Sequence, residues 1–168
     1  MPTSTYDLLE SVTLATAASS VTFSSIDQSY GDLILVINAA KNDGGGDAIK
    51  MRFNGDTGSN YSTVLMEANG SSTFSDSLTG QNSTRDGYQV PVWAGSTKAL
   101  GTYQLLDYSA TDKHKSLLTR SGRADRANIA TASRWTNTSS ITSWLIYYGN
   151  PAAEFNIGST FNLYGVAK

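Results

Sequence analysis

Short runs of β-branched, aromatic and aliphatic residues recur along the whole chain, and clusters of glycine, asparagine and serine separate them. This arrangement predicts β-strands joined by turns. The predicted strands span residues 8–14, 21–26, 32–39, 49–53, 61–66, 88–93, 102–108, 115–120, 129–135, 141–148 and 160–166. We expect one or two of these segments not to form strands.

Apolar and polar residues alternate within several of these segments. The apolar positions that recur at every second residue include Val12 and Leu14, Val21 and Phe23, Met51 and Phe53, and Phe161 and Leu163. Since successive side chains of a strand point to opposite faces, this period predicts sheets with one buried face. The run LILVI at 33–37 does not alternate, which predicts a central strand covered on both faces or a strand that passes from the core to an interface.

The spacing of the predicted strands indicates the fold class. No segment longer than about ten residues keeps the spacing of an amphipathic helix, so helices are expected to be short or missing. Many strands within 168 residues predict a single domain, 1–168, that is all-β, an antiparallel β-sandwich, jelly-roll-like. The Ser-, Thr- and Gly-rich segment 68–86 is predicted to be an extended surface excursion, and Pro91 predicts an edge strand or a bulge.

Composition narrows the function classes. A net charge of -2 and a pI near 5.2 leave no basic footprint of the kind that nucleic acid requires, so we expect no nucleic-acid partner. Cysteine is absent, which excludes disulfides and thiolate metal sites and fits assembly in a reducing cytosol. The first residues have no signal-peptide pattern, and no run of 18 apolar residues occurs, so we expect neither secretion by a standard signal nor a membrane span.

The segment MRFNGDTGSNYS, residues 51–62, gathers polar oxygens in a short stretch. Those of Asn54, Asp56, Ser59 and Asn60 could hold a cation or a sugar, or they could allow the backbone to turn. Because Asn-Gly after an alternating apolar pair is a strong hairpin signal, the segment is predicted to be a bend.

The same segment has some features of a calcium site. The spacing Asn-x-Asp-x-Gly resembles part of a calcium loop, but Leu65 stands where an EF-hand needs an acid. A calcium site of another type, with Asp43 or Asp47 nearby, stays open.

Residues for catalysis are sparse. His114 is the single histidine, in the charged stretch TDKHKS, and no GxSxG or other nucleophile motif is present. The acids are scattered without a glycosidase signature, and one histidine with no cysteine is too little for a transition-metal site. The sequence therefore predicts no catalytic, cofactor-binding or metal residues, and a chain that is not an enzyme.

Two further features could serve binding. Aromatic side chains could stack on sugar rings, although packing in the core or in a subunit contact is the favoured interpretation; they are Trp93, Trp135, Trp144, Tyr147 and Tyr148. The basic run KHKSLLTRSGRADR at 113–126 is typical of a solvated strand and loop, but it could also pair with an acidic surface on a partner protein.

Several segments together resemble a group of tailed-phage virion proteins. They are SSVTFSSI at 19–26, YGDLILVINA at 30–39, MRFNGDTGSNYS at 51–62, ITSWLIYYG at 141–149 and IGSTFNLYGV at 157–166. The similarity spans nearly the whole chain, and related domains occur as head decoration proteins and in tail fibres.

This resemblance implies a bacteriophage structural protein on the outside of the virion. The first expectation is a capsid decoration (cement) protein that binds the major capsid protein on the assembled head and stabilises it. It would act as a homotrimer at threefold positions, on a capsid assembled in the host cytoplasm. The alternative is a tail fibre or spike domain that binds host-surface glycan through exposed Trp and Tyr.

Overall fold

The computed structural model describes residues 5–42, 46–87, 93–94, 97–123 and 127–168. Within these ranges the chain forms strands and no helix. The strands are β1 (Tyr6–Thr13), β2 (Ser20–Phe23), β3 (Asp32–Ala39), β4 (Gly46–Asp47), β5 (Ile49–Phe53), β6 (Tyr61–Ala68), β7 (Thr73–Gln81), β8 (Thr84–Asp86), β9 (Trp93–Ala94), β10 (Ala99–Leu106), β11 (Lys115–Arg123), β12 (Ala127–Trp135), β13 (Trp144–Tyr148) and β14 (Thr160–Val166).

Two sheets pack against each other. The larger sheet has eight strands in the order β1-β14-β3-β10-β11-β12-β6-β7, and the smaller has four in the order β2-β13-β5-β8. A further pair, β4 and β9, stands apart, and every strand pairing described is antiparallel. The predicted all-β antiparallel sandwich is therefore confirmed. The described part of the chain contains no helix long and apolar enough to cross a membrane.

An aromatic cluster joins the two sheets at one end of the core. Phe53 of the smaller sheet lies 5.7 Å from Trp135 and 6.2 Å from Tyr61 of the larger sheet, measured between ring centroids. Trp144 of the smaller sheet packs edge-on to Phe53 at 5.5 Å. All four rings are almost fully buried, and large rings contribute the most buried area per residue.

Each predicted segment overlaps a strand among the described residues, although residues 14, 24–26, 107–108 and 141–143 lie outside the strands. The segments 32–39, 49–53 and 160–166 match β3, β5 and β14 in both bounds, whereas residues 88–92 and Pro91 lie outside the described part of the chain. Our expectation that one or two segments would fail is not met among the described residues.

The prediction for residues 68–86 is wrong. Instead of a surface excursion, this segment forms strands β7 and β8. Most of β7 is exposed because it is an edge strand of the larger sheet, so it has no alternating apolar pattern to reveal it. The inner side of β8 is buried but polar.

A buried carboxylate holds β8 against the larger sheet. Asp86 accepts hydrogen bonds from the Tyr103 hydroxyl at 2.5 Å and from the Ser121 hydroxyl at 3.0 Å. Burial and the neighbouring carboxylate raise the pKa of Tyr103 well above its usual value of 10.0, so the phenol stays protonated and donates. Charge-assisted hydrogen bonds of this kind are the strong ones in a protein interior.

The strand β14 has a glycine under an aromatic ring. Tyr30, in the loop before β3, lies over Gly165, and a Cβ added to Gly165 would meet carbons of the Tyr30 ring at 2.5 to 2.7 Å. Contacts that short force the ring or the backbone to move. This position therefore requires glycine, because the Tyr30 ring leaves no room for a side chain.

Substituting Gly165→Ala is expected to destabilise the fold by about 1–3 kcal/mol through overpacking against Tyr30. Gly31→Ala is the matched control, because its added methyl group would make ordinary contacts at 3.6 Å. Urea unfolding followed by circular dichroism measures both. Equal stability of the two variants would contradict the steric account.

Candidate functional site

The loop after β5 is tied to a distant part of the chain. The Asn54 side chain donates to the Ser140 carbonyl at 2.8 Å and accepts from the backbone N–H groups of Thr142 and Ser143 at 2.9 and 3.1 Å. Asn54 also has φ of 52°, in the left-handed region that asparagine tolerates well. Its polar atoms are therefore used to join the β5–β6 loop to the segment before β13.

The Asp56 carboxylate is also occupied by the protein itself. It accepts hydrogen bonds from Trp135 Nε1 at 2.7 Å, from Asn60 Nδ2 at 2.9 Å and from the Gly58 N–H at 2.8 Å. Burial raises the pKa of Asp56, but these three hydrogen bonds outweigh it and lower the pKa below its usual value. Asp56 thus fixes the indole of Trp135 in the aromatic cluster.

The prediction that the backbone turns within residues 51–62 is confirmed, but the hairpin that the Asn-Gly signal indicated is wrong. Strand β5 pairs with β13 and β8 in the smaller sheet, whereas β6 pairs with β12 and β7 in the larger one. The Asp47 carboxylate accepts hydrogen bonds from the N–H groups of Ala48 and Asn150, and Asp43 lies outside the described residues. Across the described ranges, no group of three or more acidic or histidine side chains is placed to hold a metal ion.

The interpretation of the aromatic residues as packing residues is confirmed for three of the five. Trp135, Trp144 and Tyr148 are almost fully buried in the core. Tyr147 is half-buried, with the Arg52 guanidinium 4.9 Å from its ring centroid, and nothing is described for the side chain of Trp93.

The basic run at 113–126 does not form one patch. Lys113 is exposed and pairs with Asp107 at 3.3 Å, and His114 is exposed beside it. Lys115 is buried, with its amine donating to the carbonyls of Ala110, Lys113 and Thr138, and burial lowers its pKa. Residues 124–126 lie outside the described part of the chain.

The most unusual surface is the outer face of the larger sheet, the face turned away from the smaller sheet. On β6, β11 and β12 the usual distribution of side chains is reversed at several positions, although Tyr61, Leu65 and Trp135 are inward and buried as expected. The inward positions include buried hydroxyl residues, namely Thr63, Thr119, Ser121, Thr131 and Ser133. The outward positions include exposed apolar residues, namely Val64, Met66, Leu118, Ala130 and Ala132, together with polar and charged ones.

Strand pairing brings these outward side chains together. Val64, Ala132 and Leu118 lie side by side across β6, β12 and β11, and Gln104 and Ile34 continue the same row on β10 and β3. Val64 is 59% exposed, Met66 is 65% exposed and Leu118 is 48% exposed. Contiguous exposed apolar patches on a soluble protein mark surfaces that meet another molecule.

A shallow groove of about 660 Å³ follows this row across the sheet. It is lined by Ile34, Val64, Leu65, Met66, Thr102, Gln104, Leu118, Thr119, Arg120, Ala130, Thr131 and Ala132. A second depression of about 420 Å³ continues it toward β7, past Met66 and Phe74. The part of the outer face formed by β3, β10, β11, β12 and β6 is thus a shallow, mainly apolar recess, and Arg120 is the charged side chain in its lining.

Sequence reasoning predicted part of this surface. The non-alternating run at 33–37 indicated either a central strand covered on both faces or one passing from core to interface. The strand is central, with Leu33, Leu35 and Ile37 fully buried and Ile34 and Val36 half-buried on the outer face. It missed the apolar outward positions of β6, β11 and β12, and it missed Arg134. The sequence pattern that could have indicated these positions is the alternation of serine or threonine with apolar residues in strands of the sheet centre. In such a strand, the apolar residues can be the ones that face outward.

Comparison with known proteins gives weak likenesses. No family model matches the sequence, and no curated protein matches it. Among solved structures, the alginate lyase Aly36B matches with 12% identity and a TM-score of 0.44, covering 94% of this chain and 79% of that chain. A double mutant of the same enzyme, in complex with an alginate tetrasaccharide, matches with 10% identity and a TM-score of 0.37 over the same shares of the two chains.

This finding contradicts the prediction that the chain is not an enzyme, because the solved structures that it matches are those of an enzyme. The physical reason for the error is that the prediction rested on missing catalytic motifs, and a catalytic arrangement need not be contiguous in sequence. At this identity and TM-score, the likeness assigns no substrate and no residue role to this chain.

Replacing Asp56→Asn is expected to lower the free energy of unfolding at pH 7 by about 1–3 kcal/mol, since one amide oxygen cannot accept all three hydrogen bonds. The pKa of Asp56 in the folded state is below the usual 3.8. The stabilisation by the Asp56 carboxylate is therefore complete at pH values above 3.8 and is lost as the pH falls through the folded-state pKa. The difference between wild type and variant should therefore shrink below about pH 4.

Denaturant unfolding followed by circular dichroism across this pH range measures the effect. Asp112→Asn is the control. The Asp112 carboxylate is exposed and its distance to the Lys113 amine is long, at 4.0 Å, so this substitution should change the free energy of unfolding by less than about 0.5 kcal/mol. A stability difference for Asp56→Asn that does not change with pH would refute the role of the carboxylate charge.

Proposed function

We propose that this chain is a bacteriophage virion structural protein that docks on the assembled capsid through the outer face of its larger sheet. The partner is the major capsid protein, and the role is decoration and stabilisation of the head. The observation that carries the docking is the group of exposed apolar side chains on β6 and β11, where Met66, Val64 and Leu118 face solvent while hydroxyl residues take several of the buried positions.

Apolar side chains on the solvent side of a strand carry a free-energy cost in the unbound chain. Each large apolar side chain left in water forgoes about 1.5–3 kcal/mol relative to full burial. A partner that covers the outer face recovers this free energy, and the same apolar residues then become the centre of an interface. The groove therefore favours a binding role in which a second molecule completes the packing of the sheet.

The size of the face suits a specific contact. Eight strands spaced about 4.8 Å apart span roughly 34 Å, and four rows of outward residues extend about 20 Å along the strands. This projected area of roughly 700 Å² is similar to the 800 Å² or so that each partner contributes to a standard interface. Repetition of such a contact over a symmetric shell, with the chain present as trimers, strengthens the attachment through avidity.

The capsid is chosen as partner from the sequence resemblance, which spans nearly the whole chain. The tail-fibre alternative required exposed Trp and Tyr to stack on host glycan. Trp135, Trp144 and Tyr148 are buried, so the described residues offer that alternative less support than they offer protein docking.

Mass spectrometry of intact virions is expected to find this chain at a copy number close to that of the capsomers, or a fixed fraction of it. Particles stripped of the chain should lose resistance to heat or to low salt and recover it when the chain is added back. A handful of copies confined to the tail would contradict the proposal, as would glycan affinity or turnover by the isolated chain without affinity for heads.

Charge placed in the outer face should abolish docking. Met66→Asp and Leu118→Asp are each expected to lower the affinity for stripped heads at least tenfold, because a carboxylate would be buried in an apolar contact. Ile157→Asp is the matched control, since Ile157 is 67% exposed but lies in the turn before β14. Circular dichroism verifies that each variant is folded, and unchanged binding by Met66→Asp and Leu118→Asp would overturn the assignment of this face.

A further inference from the structure

Two arginines stand on the outer face at opposite sides of its apolar centre. Arg120 on β11 is paired across the strands with Ala130, and Arg134 on β12 is paired with Ser116. Both side chains are exposed, and neither is in a salt bridge with any residue that the structure describes. Arginine is the cation best suited to pair with carboxylates at interfaces, because its planar fork binds both oxygens.

The described linings around these two arginines contain no acidic side chain. Among the described residues, neither the main groove nor the depression beside Arg134 has an aspartate or a glutamate in its lining. The groove and the depression therefore present two positive charges with no carboxylate in their described linings, while Asp32, on the same face at the start of β3, accepts a hydrogen bond from the Asp107 N–H. An occupant with carboxylates opposite these positions would be electrostatically complementary.

The sheet sets the distance between the two charges. Ala130 and Arg134 are four residues apart on β12, so the Arg120 and Arg134 positions are separated by about 14 Å along the strands. The cross-strand pair Leu118 and Ala132 lies between them. The order along the strands is thus positive, apolar, positive.

We propose that the protein surface that docks here presents apolar side chains flanked by two carboxylates, one for Arg120 and one for Arg134. This inference rests on the proposed function and specifies the chemistry of the partner. The complementary partner surface has an acidic side chain, an apolar side chain and a second acidic side chain over about 14 Å. Residues i, i+2 and i+4 of an extended segment provide this arrangement, because their side chains lie on the same side of the strand.

The composition of the groove favours a protein surface as its occupant over nucleic acid or a polysaccharide. Nucleic acid binding depends on many clustered Lys and Arg side chains. A polysaccharide site depends on exposed aromatic rings that stack on the sugars. The groove instead offers Ile34, Val64, Met66 and Leu118 around one arginine. Apolar surface of this extent is buried productively only against apolar side chains.

The test compares Arg120→Glu, Arg134→Glu and their double variant with wild type for binding to heads stripped of the chain, at about 50 and 200 mM NaCl. Each single variant is expected to bind at least tenfold more weakly at low salt, and the double variant to lose the salt dependence that wild type shows. Lys113→Glu, which reverses an exposed charge outside the face, should bind as wild type does.

The outcomes separate this inference from the proposed function. If Met66→Asp abolishes docking while Arg120→Glu and Arg134→Glu bind normally, docking stands and the acidic partner surface is refuted. If wild type does not bind heads at all, both are refuted. If DNA or dextran sulfate binds the chain in an Arg120-dependent way and heads do not, the occupant is a different polyanion and the inference fails. Restored binding of Arg120→Glu by a head variant with Glu or Asp changed to Lys would support it directly.

Discussion

The contact between Phe53, Tyr61, Trp135 and Trp144 is the constraint on which the rest of the molecule depends. It joins the two sheets, and it fixes which way β6 and β12 face. Because side chains alternate with a period of two, inward Tyr61 and Trp135 dictate that Val64, Met66, Ala130 and Ala132 point outward. The outer face is therefore a direct consequence of how the core is anchored. The Asp56 carboxylate on the Trp135 indole and the Tyr61 hydroxyl on the Phe53 N–H secure that anchor.

The interior on the β6 side of the sheet is more polar than a sandwich core usually is. Thr63 and Ser133 bond to each other at 2.8 Å, and Ser121 donates to Asp86. Buried polar groups are tolerated when they are hydrogen-bonded, but they stabilise less than apolar packing does. The chain thus places its hydrogen-bonding groups inside and part of its apolar surface outside, an arrangement suited to a protein that is completed by a partner.

The sequence predicted the strands that have a clear pattern and missed those that do not. Ile49–Phe53 and Thr160–Val166 alternate cleanly and end at turn residues, so their bounds were predictable. Strand β7 was not, because an exposed edge strand has few constraints on its residues. The role of Asn54 depends on residues 86 to 89 positions away, and no local pattern encodes such a contact. Arg134 belongs to no basic run, and only the pairing of β11 with β12 places it on the same face as Arg120.

The same two arginines have a consequence for the chain before it meets any partner. Stacking two copies through their outer faces would cover the apolar residues of both, yet it would also enclose four guanidinium groups with no carboxylate from the groove lining to neutralise them. Desolvating like charges costs several kcal/mol per ion, which opposes such stacking. Arg120 and Arg134 therefore oppose the association of two copies of the chain through their outer faces.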